Sequence, residues 1–231
     1  MTIDDQLSPT TRSTVRRGRK RAQTDRHQLY DLLDSCLICH LGIVLDGAPV
    51  VLPTGYGRDG DTLYVHGSTG SASLAAATAG APVSVAVTRV DGIVYARSVF
   101  HHSMNYSSAV VHGTATAVTD PAVKLHGLRV LTEHIVPGSW EHTRQPNRKE
   151  LAATHVLALS LREASVKLRS GPPNDEDDDV AGHREWAGVL PLHQVWGTPE
   201  PCPLLPAGRA VPPRIAERPV LGARPDPEMV R

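Results

Sequence analysis

The sequence is poor in several features that would assign it to a specialised class of protein. It has three cysteines in 231 residues, too few for a disulfide framework. No apolar run approaches the ~20 residues of a membrane-spanning helix, and the Arg16-Arg17 pair is not followed by the apolar segment of an export signal. Lysine plus arginine number 24, as do aspartate plus glutamate, so net charge favours neither nucleic acid nor a membrane as partner. These absences predict a cytoplasmic protein.

The sequence signatures of several enzyme classes are also missing. The chain has no Walker loop, no G-x-S-x-G elbow and no H-E-x-x-H helix. Twelve histidines are present, but His101 and His102 are adjacent and would point to opposite faces of a strand. The acidic run at residues 175–179 lacks the spacing and the glycine of a calcium loop. We therefore expect no metal site.

One short motif is typical of a cofactor attachment site. Cys36, Cys39 and His40 form the C-x-x-C-H pattern of covalent c-type haem attachment. The motif lies within an alternating apolar run, where cysteine acts as a small buried hydrophobic residue, and no second Cys/His pair follows to complete a zinc site. Packing within a strand is the preferred interpretation, and a redox pair and haem attachment are the alternatives.

Asp-Gly pairs between apolar runs dominate the first half of the chain. They occur at residues 46–47, 59–60 and 91–92, and Asp-Gly in this setting is the strongest short-range signal for a β-hairpin. Further strands are expected at 109–118, after the loop HHSMNYSS, and at 155–161 and 164–169. Six or seven strands with two interrupting helices predict a mainly β fold, a closed or partly closed antiparallel barrel.

The two ends of the chain differ in composition from its middle. Residues 1–24 are basic and lack periodicity, so we expect a mostly disordered arm, with a nucleic-acid-binding arm as the minor alternative. Residues 25–198 are the expected folded domain. Residues 199–231 are dense in proline and predict an extended or disordered tail. Within the domain, helices are expected to begin near Asp25, Asp120 and Asn147.

Residues 61–77, DTLYVHGSTGSASLAAA, combine a strand, a turn rich in glycine and hydroxyl groups, and the start of a helix. A helix N-terminus attracts anions through its unpaired N–H groups and its dipole, and glycines let a phosphate approach the backbone. The stretch therefore predicts either a phosphate-binding turn or a helix capped by serine. His66 lies beside this turn, where it would bind a ligand or transfer a proton near neutral pH, or only end the strand.

Together these motifs resemble the flavin-nucleotide-binding branch of the pyridoxamine 5′-phosphate oxidase-like superfamily, which includes nitroimidazole-resistance proteins. The matching stretches are RAQTDRHQLYDLLDSCLICHLGIVLDGAPVVLPTGYGRDGDTLYVHGSTGS, DGIVYARSVFHHSMNYSSAVVHG, EHIVPGSW, ASVKLRSGPP and WAGVLPL. They occur in order over most of the chain and are specific in combination. The resemblance implies an antiparallel Greek-key split β-barrel that forms a homodimer and binds FMN in a groove at the dimer interface.

The resemblance also assigns the site residues. The cofactor-binding positions that it implies are Leu52, Pro53, Thr54, His66, Gly67, Ser68, Gly70, Ser71, Ser73, Tyr106, Ser108, Lys167 and Arg169. Residues 52–54 would flank the isoalloxazine ring. The phosphate and ribityl side would be lined by His66, Gly67, Ser68, Gly70, Ser71 and Ser73. His66 matches a strand-end histidine near the flavin in nitroimidazole-resistance relatives, which makes it the implied catalytic residue, a proton donor. The implied function is an FMN-dependent oxidoreductase acting on a small organic substrate of nitro, quinone or amine type.

Three positions depart from the family pattern. Ala72, Ser107 and Ser139 stand where family members carry arginine. A charge-assisted hydrogen bond contributes roughly 1.5–3 kcal/mol, so the loss of two would weaken FMN binding by roughly 100-fold. The alternatives are therefore a flavin-poor split-barrel protein that binds another small ligand in the same groove, and a non-enzymatic binding or regulatory protein whose basic arm contacts a partner.

Overall fold

The computed structural model describes residues 5–7, 10–182, 185–206 and 208–219. Its internal contacts divide the chain into two units, residues 1–192 and 193–231. The strands are β1 (Ala22–Gln23), β2 (Ile38–Leu45), β3 (Ala48–Asp59), β4 (Thr62–Ser68), β5 (Pro82–Tyr95), β6 (Ser103–Thr114), β7 (Thr116–Ala117), β8 (Thr154–Ser160), β9 (Ala164–Arg169) and β10 (Gly188–Pro191). The α-helices are α1 (Arg26–Asp34), α2 (Ala72–Thr78), α3 (Pro121–Ile135), α4 (Arg148–Ala152), α5 (Asp177–Gly182) and α6 (Pro213–Ala216). None of these helices has the length and apolar character to cross a membrane.

Antiparallel pairing joins the ten strands into one sheet. The order is β1-β9-β6-β5-β2-β3-β4-β8-β7, and β10 pairs with the end of β5. Strands that are distant in the chain are neighbours, as β9 is to β6 and β8 is to β4. This order confirms the predicted fold class, a mainly β, antiparallel split barrel with a few helices.

Alternate residues of the strands point into the barrel and form its core. On β2, Cys39, Leu41 and Ile43 are buried, whereas His40 and Val44 between and after them are exposed. The same period of two buries one face of β5 and β6. A slip of one residue would turn these side chains to solvent, so the alternation fixes the register of the sheet.

Two of the three predicted hairpins are confirmed. Asp46 and Gly47 join β2 to β3 with φ angles of 51° and 78°, and a type I′ turn requires positive φ at both central residues. Gly60, with a φ of 53°, joins β3 to β4. The first two Asp-Gly pairs thus set the short connections at this end of the sheet.

The third predicted hairpin, at Asp91-Gly92, is wrong. β5 continues through this point, and its register with β6 shifts between Val90 and Gly92. The pair therefore forms a β-bulge instead of a chain reversal. Glycine is required for space, because a Cβ on Gly92 would lie 2.8 Å from the carbonyl oxygen of Leu190 on β10.

β6 begins at Ser103, earlier than the predicted residue 109. The segment HHSMNYSS is polar and has no apolar alternation, so the sequence indicated a loop. Its hydrogen bonds come from β5 on one side and β9 on the other. Tyr106 and Ser108 consequently lie on a central strand of the sheet.

The predicted helix starts are confirmed. Asp25 caps α1 by accepting a hydrogen bond from the N–H of His27 at 2.9 Å, and Asp120 caps α3. Asn147 and Glu150 form a reciprocal capping box at the start of α4. These caps satisfy N–H groups that would otherwise lack partners in the first turn of each helix.

The described part of the basic arm differs from the predicted disorder. Residues 10–24 lie against the barrel: β1 pairs with β9, Ser13 is buried, and Arg12 forms an ion pair with Glu163. Polar contacts to distant residues order this segment, and contacts of this kind produce no apolar periodicity that could be recognised in the sequence. In the tail, the Trp196 indole N–H donates to a backbone carbonyl at 2.8 Å, and residues 220–231 lie outside the described residues.

Candidate functional site

His66 lies on the side of β4 that α3 covers. Two glycines allow the helix to approach closely, because a Cβ on Gly57 would lie 2.7 Å from the Val130 carbonyl oxygen and a Cβ on Gly127 would lie 2.9 Å from the Tyr64 ring. α3 and the loop after it enclose a cavity of about 380 Å³, which we call the His66 cavity. It is lined by His66, Leu128, Thr132, Trp140, Thr143, Arg144, Gln145, Pro146, Glu150 and Thr154.

The electrostatics of the His66 cavity favour a neutral imidazole. Part of the His66 side chain is exposed to solvent. The protein around the imidazole nevertheless displaces much of its hydration water, and this desolvation lowers the His66 pKa below the ordinary value of 6.5. At pH 7 the ring therefore offers one donor and one acceptor nitrogen. Arg144 and Glu150 in the cavity wall form an ion pair at 2.7 Å, so the described lining carries no net charge.

The turn after His66 satisfies its own backbone donors. The N–H of Thr69 donates to the Ala153 carbonyl at 3.0 Å, and that of Ser71 donates to the Ser68 carbonyl at 3.0 Å. The N–H of Gly70 donates to Ser68 Oγ at 3.1 Å. These three donors are not available to a phosphate, in contrast to the phosphate-binding interpretation of this turn.

Helix α2 has the serine cap that the sequence offered as the alternative. Ser71 Oγ accepts a hydrogen bond from the N–H of Leu74 at 3.4 Å. Ser73 is buried and Ala72 is exposed at the first position of the helix. Gly67 is required for packing, since a Cβ there would lie 2.3 Å from the Leu74 side chain. The turn keeps exposed hydroxyl groups but has no charge of its own.

The three predicted ring-flanking residues on β3 do not share a face. Leu52 lies opposite Leu41, and Thr54 lies opposite Cys39; both partners on β2 point into the core. Directly opposite residues of an antiparallel pair point to the same side of the sheet. Of the three, only Pro53 therefore has its side chain on the outer face.

The remaining predicted residues form two cross-strand pairs. Ser108 lies opposite Lys167, and Tyr106 lies opposite Arg169. Ser108 and Lys167 line a second cavity, of about 250 Å³. Arg169 is already engaged, because it donates to the side-chain oxygen of Asn105 and to the carbonyl groups of the following turn. Lys167 is thus the cation of this group that is open to a ligand.

The positions that lack the family arginines have different surroundings. Ser107 is 4% exposed and lies opposite Arg89. That arginine donates to the Asp91 carboxylate at 2.8 Å and to the Ser35 hydroxyl at 2.7 Å. Ser139 lies in the turn after α3. Position 107 therefore faces the interior beside an existing cation and does not open into either cavity.

The structure thus places the predicted residues in three groups. They lie on β3, on β4 with the turn at residues 67–71 that precedes α2 (the α2 turn), and on β6 with β9. β5 and β2 lie between the last group and the others. Sequence reasoning missed Arg12 and Arg16, which line the second cavity, and Trp140 and Arg144, which line the first. The basic composition of the arm was visible in the sequence, but the surface on which it lies was not.

Of the C-x-x-C-H motif, only Cys39 lies in the strand core, because Cys36 precedes β2 and His40 is on its exposed face. Cys39 is 0% exposed, and burial raises its pKa to about 12. Cys36 is half-buried, and burial also raises its pKa. Thiols in such surroundings are structural and inert. The packing interpretation is confirmed for Cys39, and the geometry does not support covalent attachment of haem through both sulfur atoms.

Comparisons with known proteins are consistent with this geometry. The family described as pyridoxamine 5′-phosphate oxidase matches residues 25–168. The FAD and heme binding protein from Mycobacterium smegmatis is 44% identical, with 84% of this chain and 95% of that chain covered and a TM-score of 0.81. The flavocytochrome Anf3 from Azotobacter vinelandii is 35% identical, with 91% and 98% covered and a TM-score of 0.85.

A more distant structure shares the fold alone. A putative 5-nitroimidazole antibiotic resistance protein from Bacteroides thetaiotaomicron is 20% identical, with 63% of this chain and 85% of that chain covered and a TM-score of 0.54. No curated protein matches the chain.

Proposed function

Because the chain belongs to the pyridoxamine 5′-phosphate oxidase family, we propose that it is a flavin-dependent oxidoreductase acting on a small organic molecule of nitro, quinone or amine type. The observation that carries the proposal is the 44% and 35% identity to two proteins named for flavin binding, over 84% and 91% of the chain. The flavin nucleotide is FMN, as the family implies, or FAD, as the name of the M. smegmatis relative suggests.

The residues present fit a flavin nucleotide. Lys167 and Ser108 lie side by side on the outer face and supply an ammonium group and a hydroxyl for a phosphoryl group. Pro53 offers an apolar outer surface for the ring system. His66, whose lowered pKa keeps the ring neutral near pH 7, is able to accept a proton and pass it on. When bound, a flavin supplies two-electron chemistry, and these residues orient it and the substrate.

We also propose that the active form is a homodimer. The outer face between the residue groups carries small residues on β2 and β5, namely Gly42, Ser84 and Ala86, which would let a second copy approach closely. Exposed apolar side chains flank it, with Val44 and Val51 exposed by 61% and 63%. A second copy on this face would bring its own groups next to those of the first copy, so one flavin would contact both subunits.

The visible spectrum of the purified protein tests the flavin proposal. We expect flavin absorbance that is released on denaturation, and saturable binding when FMN or FAD is added to protein stripped of cofactor. Fluorescence quenching of the added flavin measures the affinity. A colourless protein that neither nucleotide binds would contradict the proposal.

Haem is a second candidate cofactor, since one relative is named as heme-binding and the other as a flavocytochrome. Cys39 is in the core, so binding would be non-covalent. A histidine that holds haem iron does so as a neutral imidazole, and His66, whose pKa is lowered and which lies beside the apolar Leu128 and Trp140, meets this requirement.

Reconstitution with haemin separates the two roles of His66. If His66 holds the iron, His66→Gln shifts the Soret band to that of free haemin and leaves flavin binding unchanged. His126→Gln is the matched control, because His126 lies on α3 outside this cavity and pairs with Asp59 at 2.8 Å. An unchanged Soret band in His66→Gln, with an altered pH profile of flavin reduction, would assign His66 to proton transfer instead.

A further inference from the structure

The described part of the N-terminal arm forms one wall of the second cavity. We call this cavity, of about 250 Å³, the arm groove. The arm contributes Arg12, Ser13, Thr14, Val15 and Arg16, and the outer face of β6 and β9 contributes Ser108, Val110, His112, Ser165 and Lys167. The groove therefore combines residues from the extreme start of the chain with residues from two strands of the barrel.

Contacts at both ends of the arm segment hold it over the groove. At the N-terminal end, Thr10 Oγ1 and the Arg12 guanidinium both donate to the Glu163 carboxylate, and the distance from Arg12 Nε is 3.1 Å. These hydrogen bonds hold the pKa of Glu163 down at about 2. At the C-terminal end of the arm segment, β1 pairs with β9, and Ala22 lies opposite Lys167. The segment that carries Arg16 is thus fixed at both ends over the strand pair.

The groove has positive charge that nothing in the described residues neutralises. Arg12 is paired with Glu163, but neither Arg16 nor Lys167 has an acidic partner or a hydrogen-bond acceptor in the described part of the chain. Two like charges beside one small cavity repel each other. An anion between them would remove that repulsion.

The other groups that line the groove are suited to oxygen-rich anions. Ser108 and Ser165 lie on the sheet side and place two hydroxyl donors next to the two cations. Phosphoryl oxygens accept hydrogen bonds from ammonium, guanidinium and hydroxyl groups alike, and guanidinium in particular binds them through two parallel bonds. This donor set is absent from the α2 turn, where the backbone N–H groups are already bonded.

We propose that the arm groove is a phosphoryl-binding site, in which Arg16 of the arm and Lys167 of β9 bind the same phosphoryl group. In this way the arm supplies charge that the chain lacks at Ala72. The phosphoryl group belongs either to the flavin nucleotide, in which case the inference rests on the proposed function, or to a separate phosphorylated ligand.

The test uses the full-length protein and isothermal titration with FMN, riboflavin, inorganic phosphate and pyrophosphate. The variants are Arg16→Gln and Lys167→Gln, and Arg17→Gln is the matched control. Arg17 is an exposed neighbour that does not line the groove. We expect each groove variant to weaken phosphoryl binding about tenfold or more, the effect of one lost charge-assisted bond. The control should bind like the unchanged protein.

Each outcome decides the source of the phosphoryl group or overturns the site. Weaker FMN binding with unchanged riboflavin binding assigns the groove to the flavin nucleotide. Unchanged FMN binding with weaker pyrophosphate or phosphate binding assigns it to a separate ligand. If neither changes, or if Arg17→Gln has the same effect as Arg16→Gln, the proposal is wrong. Failure of the unchanged protein to bind any flavin would count against the proposed function alone, because pyrophosphate titration still tests the groove.

Discussion

The α2 turn and the arm groove are both rich in hydroxyl groups, but they differ in charge and in free donors. The turn has no cation, and its N–H groups at residues 69–71 are bonded within the protein. The groove has two cations, Arg16 and Lys167, that have no partner among the residues that the structure describes. A glycine- and serine-rich turn before a helix is therefore a weak guide to anion binding unless the partners of its donors are known.

Introducing arginine at two of the three positions that lack the family arginine, Ser107 and Ala72, should give the largest difference between an interior and an exposed site. Ser107→Arg places a charge at a position that is 4% exposed and opposite Arg89, and should lower the free energy of unfolding by about 3 kcal/mol or more. Ala72→Arg, at an exposed helix start, should stay within about 0.5 kcal/mol. Urea unfolding monitored by circular dichroism measures both values.

Ala72→Arg also tests the contrast between the turn and the groove. If this variant binds FMN more tightly than the unchanged protein, the turn faces the phosphate after all. Equal stability of Ser107→Arg and Ser107→Ala would show that position 107 does not face the interior.

Removing the anchor of the arm should expose the groove without disturbing the turn. Glu163→Gln loses the charge that holds Thr10 and Arg12, so amide exchange in residues 10–16 should accelerate severalfold. Glu150→Gln is the matched control, since it removes a carboxylate that is paired with Arg144 far from the arm in the sheet order. Hydrogen–deuterium exchange with mass spectrometry follows both regions in one experiment.

The pH dependence of this anchor has a definite sign. The folded-state pKa of Glu163 is lowered from 4.5 to about 2, chiefly by the Arg12 hydrogen bond. The anchor therefore contributes fully above pH 4.5 and is lost as the pH falls through about 2. Fast exchange of the arm at pH 6 in the unchanged protein would contradict this assignment.

Removing the cap of α2 should have a smaller effect, confined to stability. Ser71→Ala deletes the side chain that accepts from Leu74 and should cost about 1 kcal/mol of unfolding free energy, with FMN affinity unchanged. Ser71→Asp keeps a capping oxygen and adds a negative charge. If both variants weaken FMN binding, and Ser71→Asp does so more strongly, the phosphoryl group lies at the turn and not in the groove.

The sequence correctly predicted the features that depend on residues close together in the chain. Asp25, Asp120 and Asn147 each cap a helix as expected, because a cap depends on residues within one turn. The Asp-Gly pair at residues 91–92 did not form a hairpin, because β10, from far along the chain, pairs with β5 at that point. Asp-Gly suits both a turn and a bulge, and only the distant strand decides between them.

The arrangement of the candidate site depends on contacts between residues that are distant in the chain. The family resemblance identified His66, Ser108 and Lys167, each of which lines a cavity. It also identified Leu52 and Thr54, which point toward the core side of β3, because a motif specifies a position and not the face it occupies. The contribution of the arm to the groove was not predicted, because a basic segment without periodicity carries no information about the surface that it covers.

The smallest predicted effect concerns His66, whose cavity differs from the groove in having no net charge. Desolvation lowers its pKa below 6.5, so the folded state resists protonation. This contribution to stability is complete above pH 6.5 and decreases as the pH falls below that value, because the unfolded chain then binds the proton more readily.

NMR titration of the His66 imidazole should give a midpoint below 6.5. Trp140→Ala should raise the midpoint toward the ordinary value, because it removes a wall of the cavity and admits water. Thr143→Ala, a smaller change in the same lining, is the control and should shift the midpoint less. A midpoint above 6.5 in the unchanged protein would mean that an acidic group faces His66 in solution, and would contradict the neutral imidazole that the role as haem ligand requires.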